Sequence, residues 1–68
     1  MLTDVRIREL SNKKGVKKIA VENFLYTVSA NRNIQSALLN LEMDSKMYKW
    51  NSATVNAIRT GIKEYFAE

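Results

Sequence analysis

Six basic residues lie close together near the N-terminal end, between positions 5 and 18. They are Arg6, Arg8, Lys13, Lys14, Lys17 and Lys18, and Glu9 is the one acidic residue among them. The first 34 residues hold seven basic and three acidic side chains, which accounts for the net charge of +4 of the whole chain. A clustered positive field attracts polyanions. The segment predicts binding to nucleic acid or to an anionic membrane surface, with a solvated, solubilising face as the alternative.

The residue types that most catalytic and metal sites require are missing. The sequence has no Cys and no His, which excludes thiolate or imidazole metal sites, disulfides and Ser-His-Asp triads. The acidic residues do not form a general acid/base pair, since Glu42 and Asp44 are two positions apart and do not face each other on a helix. We therefore predict a non-enzymatic protein with no cofactor and no metal site.

The length of the chain bounds its organisation. The 68 residues, of which 46% are hydrophobic and 26% charged, predict a single domain over 1–68. A core this small gives marginal stability, so we expect a homodimer. No apolar run reaches the roughly 18 residues of a membrane span, and the N-terminus does not resemble a signal peptide. The expected location is the cytoplasm.

Helical spacing of the apolar residues predicts an all-α fold, a small bundle of three to four helices. We expect helices over Thr3 to Lys14, Lys17 to Val28, Ile34 to Lys49, and Asn51 or Ser52 to Phe66. Thr3, Asn33 and either Asn51 or Ser52 are the expected N-caps. The segment Val5-Arg6-Ile7-Arg8 also alternates like a strand, but the lysines and Gly15 that follow it favour a helix ending.

The third predicted helix carries two apolar stripes. Ile34, Leu38, Leu41 and Tyr48 form the first, and the second, which we call the methionine stripe, consists of Leu39, Met43, Met47 and Trp50. Two stripes predict a helix that is covered on two sides. We favour a central helix of the bundle, and the alternative is that the methionine stripe contacts a protein partner, because Met and Trp are adaptable anchors at interfaces.

Small residues line one edge of the fourth predicted helix. Ala53, Ala57 and Gly61 recur every four positions, and a glycine inside a helix costs about 1 kcal/mol relative to alanine. A neighbouring element should therefore pack closely there. We expect tight packing within the chain first and a symmetric dimer contact second.

The stretch from Ile7 to Leu25 resembles a helix-turn-helix unit, of the general kind found in lactose-repressor-type regulators. The matching positions are Ile7 and Leu10 in the first helix, the small Ser11, Gly15 and Val16 at the turn, and Val21, Phe24 and Leu25 on the inner face of the second helix. Two positions depart from the pattern. Lys14 replaces an apolar or small residue, and Lys17 replaces the Ser or Thr that commonly caps the second helix.

The resemblance implies that the outward positions of the second helix contact DNA. Lys13, Lys14, Lys17 and Lys18, which we call the lysine cluster, would then pair with phosphates around the turn. Asn23 would read adenine and Ala20 would touch a thymine methyl group, while Glu22 would either accept from cytosine or repel phosphate. We expect DNA in preference to RNA, because no stacking-aromatic motif of an RNA-binding fold is present. The alternative function is a helical interaction module that binds a protein through the methionine stripe.

Overall fold

The computed structural model describes residues 2–67, which form four α-helices and no strand. The helices are α1 (Asp4–Ser11), α2 (Lys18–Tyr26), α3 (Ile34–Tyr48) and α4 (Ser52–Phe66), and a short 3₁₀ helix (Val28–Ala30) follows α2. The all-α prediction is confirmed. The strand alternative for positions 5–8 is wrong, because these residues lie inside α1.

Three of the helices begin where a polar side chain takes up a free backbone N–H group. Thr3 Oγ1 accepts from the Arg6 amide at 3.2 Å, and Asn33 Oδ1 accepts from the Ser36 amide at 2.8 Å. Asn51 Oδ1 accepts from the Thr54 amide at 3.0 Å, which selects Asn51 over Ser52 as the cap of α4. The predicted caps are confirmed. They could be predicted from the sequence because capping is a contact between residues three positions apart in the chain.

Two predicted helix ends lie too far along the chain. α1 stops at Ser11 and not at Lys14, because the chain turns there and leads into α2. α2 stops at Tyr26 and not at Val28. Immediately after Tyr26, Thr27 Oγ1 donates to the carbonyls of Asn23 and Phe24. A hydroxyl that bonds to the preceding turn competes with the helical ladder, and the 3₁₀ turn that follows is a common way for a helix to end.

The central helix of the bundle is α4. It packs against α1, α2 and α3, and buries Thr54, Ala57, Ile58, Gly61 and Ile62. The prediction that α3 is the central helix is wrong. α3 packs mainly on α4 and buries only Ala37 and Leu41 completely. The Cα atoms span 29 × 26 × 14 Å, and the outer face of α3 is left uncovered, with Leu39, Met43 and Met47 more than half exposed.

The small-residue edge of α4 is used inside the chain. A Cβ atom at Gly61 would lie 2.6 Å from Leu25 Cδ1, so only glycine lets α2 come this close. Ala57 and Gly61 are both buried. The expected tight packing is confirmed. Because Ala57 and Gly61 are buried within the chain, only the half-buried Ala53 is accessible for the second expectation, a dimer contact along this edge, which stays a prediction.

One ion pair ties α1 to α4. Arg6 Nε donates to both carboxylate oxygens of Glu64 at 2.9 and 3.1 Å, and Arg6 Nη2 lies 2.8 Å from Glu64 Oε2. Arg6 Nη1 also lies 3.3 Å from Glu9 Oε1. The hydrogen bonds from Arg6 lower the pKa of Glu64. The pKa of Arg6 is raised in turn, mainly by its hydrogen bonds to Glu64 and to a smaller extent by its hydrogen bond to Glu9. Arg6 is therefore engaged within the protein.

Candidate nucleic-acid interface

The turn between α1 and α2 depends on Gly15. Gly15 has φ +81°, in the left-handed region that residues with a side chain rarely adopt. Val16, the next residue, is half-buried against the core. α1 and α2 pack on each other, with Ile7, Leu10, Val21 and Leu25 buried. The predicted roles of Gly15 and Val16 in the turn are confirmed, and the unit is a pair of packed helices joined by a turn.

The start of α4 holds this turn in place. Asn51 Nδ2 donates to the Gly15 carbonyl at 2.8 Å, and the Lys17 amide donates to Thr54 Oγ1 at 2.9 Å. Thr54 Oγ1 in turn donates to Asn51 Oδ1. Thr54 is fully buried, and both its hydrogen-bonding roles are used. The first residue of the turn-to-helix junction is thus fixed by a residue 37 positions away, which no local pattern indicated.

The lysine cluster surrounds this junction at the surface. Lys13 and Lys14 lie in the turn, Lys17 is the N-cap residue of α2 and Lys18 is its first helical residue. All four are exposed, and none makes an ion pair with a carboxylate in residues 2–67. Arg6, by contrast, is paired with Glu64 and Glu9. The lysine cluster and Arg8, which is also exposed and makes no ion pair within residues 2–67, therefore form the accessible part of the basic segment.

No side chain caps the N-terminus of α2. Lys17 occupies the cap position with extended backbone and makes no side-chain hydrogen bond to the first turn. The departure from the helix-turn-helix pattern at this position thus has a structural consequence. The first-turn amides and the positive end of the helix dipole lie beside exposed lysines, an arrangement that favours anions.

Ala20 and Asn23 lie on the wall of a groove. The groove runs between α2 and α3 and has a volume of about 550 Å³. Asn23 is exposed and Ala20 is half-buried, and Ile19, which also lines the groove, is largely exposed. The structure thus brings both predicted reading residues to one place, and Lys17 joins them there. Their contacts with bases stay a prediction.

The opposite wall of the groove consists of α3 residues that the sequence did not indicate as site residues. Asn40, Asp44 and Tyr48 line it, and Trp50 lines the groove just beyond the end of α3. The rings of Tyr48 and Trp50 are stacked, with centroids 5.6 Å apart and planes 20° apart. Asn40, Asp44 and Tyr48 are four positions apart along α3 and therefore share one face of it. Only the fold shows that this face is opposite α2.

The methionine stripe is exposed for most of its length. Leu39, Met43 and Met47 keep 59%, 58% and 66% of their surface accessible to solvent. Trp50 differs, since it is half-buried and packs against the core. The prediction that α3 is covered on both sides is therefore wrong. The exposed three residues are free for the alternative role, a contact with a partner.

Residues 2–67 contain neither a metal-binding cluster nor a membrane-spanning helix. Within residues 2–67, no three His, Cys, Asp or Glu residues are grouped so that they could hold a metal ion. No helix in the same range has the length and apolar character to cross a membrane.

No protein-family model matches the chain, and comparisons with curated proteins and with solved structures find no match.

Proposed function

We propose that this protein binds nucleic acid through the lysine cluster and is not an enzyme. The supporting observation is that four exposed lysines, none of them ion-paired within residues 2–67, surround the uncapped start of α2. Unpaired cations at a helix N-terminus suit phosphate oxygens. A cytoplasmic location is part of the same proposal.

Duplex DNA is the proposed target, by the helix-turn-helix resemblance. Phosphate contacts from the lysine cluster would hold the start of α2 on the DNA backbone, which positions the protein without specifying a sequence. Asn23 and Ala20 would then supply contacts with base edges. Two hydrogen bonds support this role, one from Asn51 to the Gly15 carbonyl and one from the Lys17 amide to Thr54. They fix the backbone of the turn, while the side chains of the lysine cluster make no ion pair within residues 2–67.

A salt titration of binding to a fixed duplex tests the proposal. Each lysine that contacts a phosphate contributes about one unit to the slope of log affinity against log salt. Replacing Lys14 or Lys18 by alanine should weaken binding to all duplex sequences alike and lower the slope by about 1. Asn23→Ala should change sequence preference more than slope. Lys46→Ala and Lys63→Ala are the matched controls, since both lysines are exposed and lie in the electrically balanced half of the chain.

The proposal fails if the parent protein binds no nucleic acid at low salt. It also fails if the Lys14 and Lys18 variants bind as tightly as the parent with the same salt slope. Circular dichroism of each variant checks that the helices are intact, so that a loss of binding is not a loss of folding.

A second candidate function is supported by the exposure of Leu39, Met43 and Met47. Three large apolar side chains in a row on one helix face are typical of a protein interface. A second copy of the chain is the expected partner, because the core of a 68-residue chain provides little stability of its own. Sedimentation over a range of concentrations tests it: Met43→Glu should shift a dimer towards monomer, and a parent that is monomeric throughout contradicts it.

A further inference from the structure

The groove between α2 and α3 combines three kinds of side chain that lie apart in the sequence. Its aromatic residues are Phe24, Tyr48 and Trp50, its amide residues are Asn23, Asn31 and Asn40, and its charged residues are Lys17 and Asp44. Aromatic faces, amide groups and a carboxylate are the groups that proteins use to bind a planar, polar ring. Lys17 also belongs to the lysine cluster, so the groove opens directly onto the proposed phosphate contacts.

We propose that this groove binds one unpaired nucleobase, preferentially guanine, of a nucleic-acid strand whose phosphates contact the lysine cluster. The inference rests on nucleic-acid binding as proposed above, but not on the duplex mode. It adds a substrate class, strands with unpaired bases, and assigns roles to Asp44, Tyr48 and Trp50.

Size and stacking support a base as the occupant. A volume of about 550 Å³ lies in the range of sites for small ligands, and holds a base with room for its sugar. The stacked pair of Tyr48 and Trp50 lies on the wall, and Tyr48 is 58% exposed, so its ring is available for a further partner. Base-on-aromatic stacking is the usual energy source when proteins bind single strands.

The polar groups favour guanine. Asp44 offers two acceptor oxygens, and guanine is the base whose pairing edge has two adjacent N–H donors, at N1 and N2. Asn40, one helical turn before Asp44 on the same wall, offers an amide to the other groups of that edge. Because Asp44 repels phosphate, the sugar-phosphate backbone should remain at the Lys17 end of the groove.

The geometry requires an unpaired base. In a duplex the ring faces are stacked on neighbouring bases and the pairing edge of guanine is hydrogen-bonded to cytosine. Neither surface is then free for Tyr48 or Asp44. Duplex and single strand share the phosphate contacts, so the lysine cluster should serve both, whereas Tyr48 and Asp44 on the α3 wall should contribute only to the single strand.

Fluorescence anisotropy with two labelled probes tests this inference. The probes are a short mixed-sequence single-stranded DNA that contains isolated guanines and a duplex of the same sequence, at one salt concentration. Tyr48→Ala should weaken binding of the single strand about 10- to 100-fold and leave duplex binding within about twofold. Tyr48→Phe, which keeps the ring, should bind both probes as the parent does. Lys14→Ala should weaken binding of both probes.

Two further arms test the base and the site. Replacing the guanines of the single strand by inosine, which lacks the N2 donor, should weaken binding to the parent but not to Asp44→Asn. Binding of the single strand should also quench Trp50 fluorescence. Gln35→Ala is the control, since Gln35 is exposed on α3 but does not line the groove.

The outcomes separate the two proposals. If Lys14→Ala weakens binding to both probes while Tyr48→Ala affects neither, the groove proposal is overturned and nucleic-acid binding stands. If the parent binds neither probe at low salt, both are overturned. If Trp50 fluorescence changes with protein concentration alone and not with oligonucleotide, the groove is occupied by a second copy of the chain, which also overturns the base-binding proposal.

Discussion

The contact between Gly61 and Leu25 decides how closely α2, which carries the lysine cluster, approaches α4. Gly61→Ala tests it directly. In an unobstructed helix this change would stabilise the protein by about 1 kcal/mol, because alanine loses less conformational freedom than glycine. Here the new Cβ atom would lie 2.6 and 2.7 Å from the two Cδ atoms of Leu25 and 3.2 Å from its Cγ atom.

The expected magnitude combines these two effects. Carbon atoms pack best at about 3.5–4.0 Å, so Leu25 must move. Leu25 is 2% exposed and its side chain is enclosed by the core, so the movement disturbs other contacts. Inserting a methyl group into a filled core costs about 1–3 kcal/mol. After the gain in helix propensity is subtracted, we expect Gly61→Ala to destabilise the protein by about 1 kcal/mol, a fall of roughly 4–8 °C in Tm for a domain of this size.

A double-mutant cycle isolates the steric part. Leu25→Val removes both Cδ atoms, and should cost about 1 kcal/mol by itself. In that background Gly61→Ala should become stabilising by about 1 kcal/mol, which gives a coupling of about 2 kcal/mol between the two sites. Urea unfolding followed by circular dichroism measures all four proteins.

An exposed position in the same helix supplies the control. The difference between Asn56→Ala and Asn56→Gly reports the intrinsic preference of α4 for alanine, without a neighbouring side chain to displace. If Gly61→Ala stabilises the parent by the amount found at position 56, and equally in the Leu25→Val background, then no steric contact exists and the explanation of Gly61 is wrong.

Three other changes have defined expectations. Arg6 lowers the pKa of Glu64, so the ionised carboxylate stabilises the protein above its ordinary pKa of 4.5, and this stabilisation is lost as the pH falls through the lower folded pKa. Glu64→Gln should therefore cost about 0.5–1 kcal/mol at pH 7, and the gap between the two proteins in urea unfolding should narrow as the pH falls below 4.5. A gap that is independent of pH would contradict this. Asn51→Ala removes both the α4 cap and the hydrogen bond to the Gly15 carbonyl and should cost about 2 kcal/mol, whereas Asn51→Asp keeps the cap and should cost about half as much. Equal costs would show that only the bond to Gly15 matters, and an Asn51→Asp variant as stable as the parent would show that only the cap does. At a concentration where the protein is monomeric, Met43→Ser should change the free energy of unfolding by less than about 0.5 kcal/mol, and a loss above about 2 kcal/mol under that condition would place Met43 in the core.

The candidate site could be predicted from the sequence only in part. The lysine cluster was identified because charge is a property of residue type, and the turn was identified because Gly15 and Val16 stand between two amphipathic helices. Tyr48 was predicted as part of an apolar stripe and Asp44 was considered only as half of an acid pair, and neither was identified as a site residue, since nothing in their own segment shows that α2 lies opposite. The bond from the Lys17 amide to Thr54 could not be found for the same reason.

What the sequence by itself determined are the features that depend on residues within about one helical turn of each other. The four helices, the caps at Thr3, Asn33 and Asn51 and the left-handed residue Gly15 are of this kind, because hydrogen bonds and backbone sterics act over three or four residues.

Only the tertiary structure decided which helix is central and which apolar surfaces remain exposed. α3 and α4 both have apolar faces in the sequence, but it is α4 that packs against the three other helices, whereas α3 packs mainly on α4. α4 takes that place because Ala57 and Gly61 let α2 pack against it closely. α3 is left at the side with Leu39 and Met43 exposed, and the groove forms because α2 and α3 each pack on α4 with space between them. Burial is shared among all helices at once, so no single segment of sequence determines it.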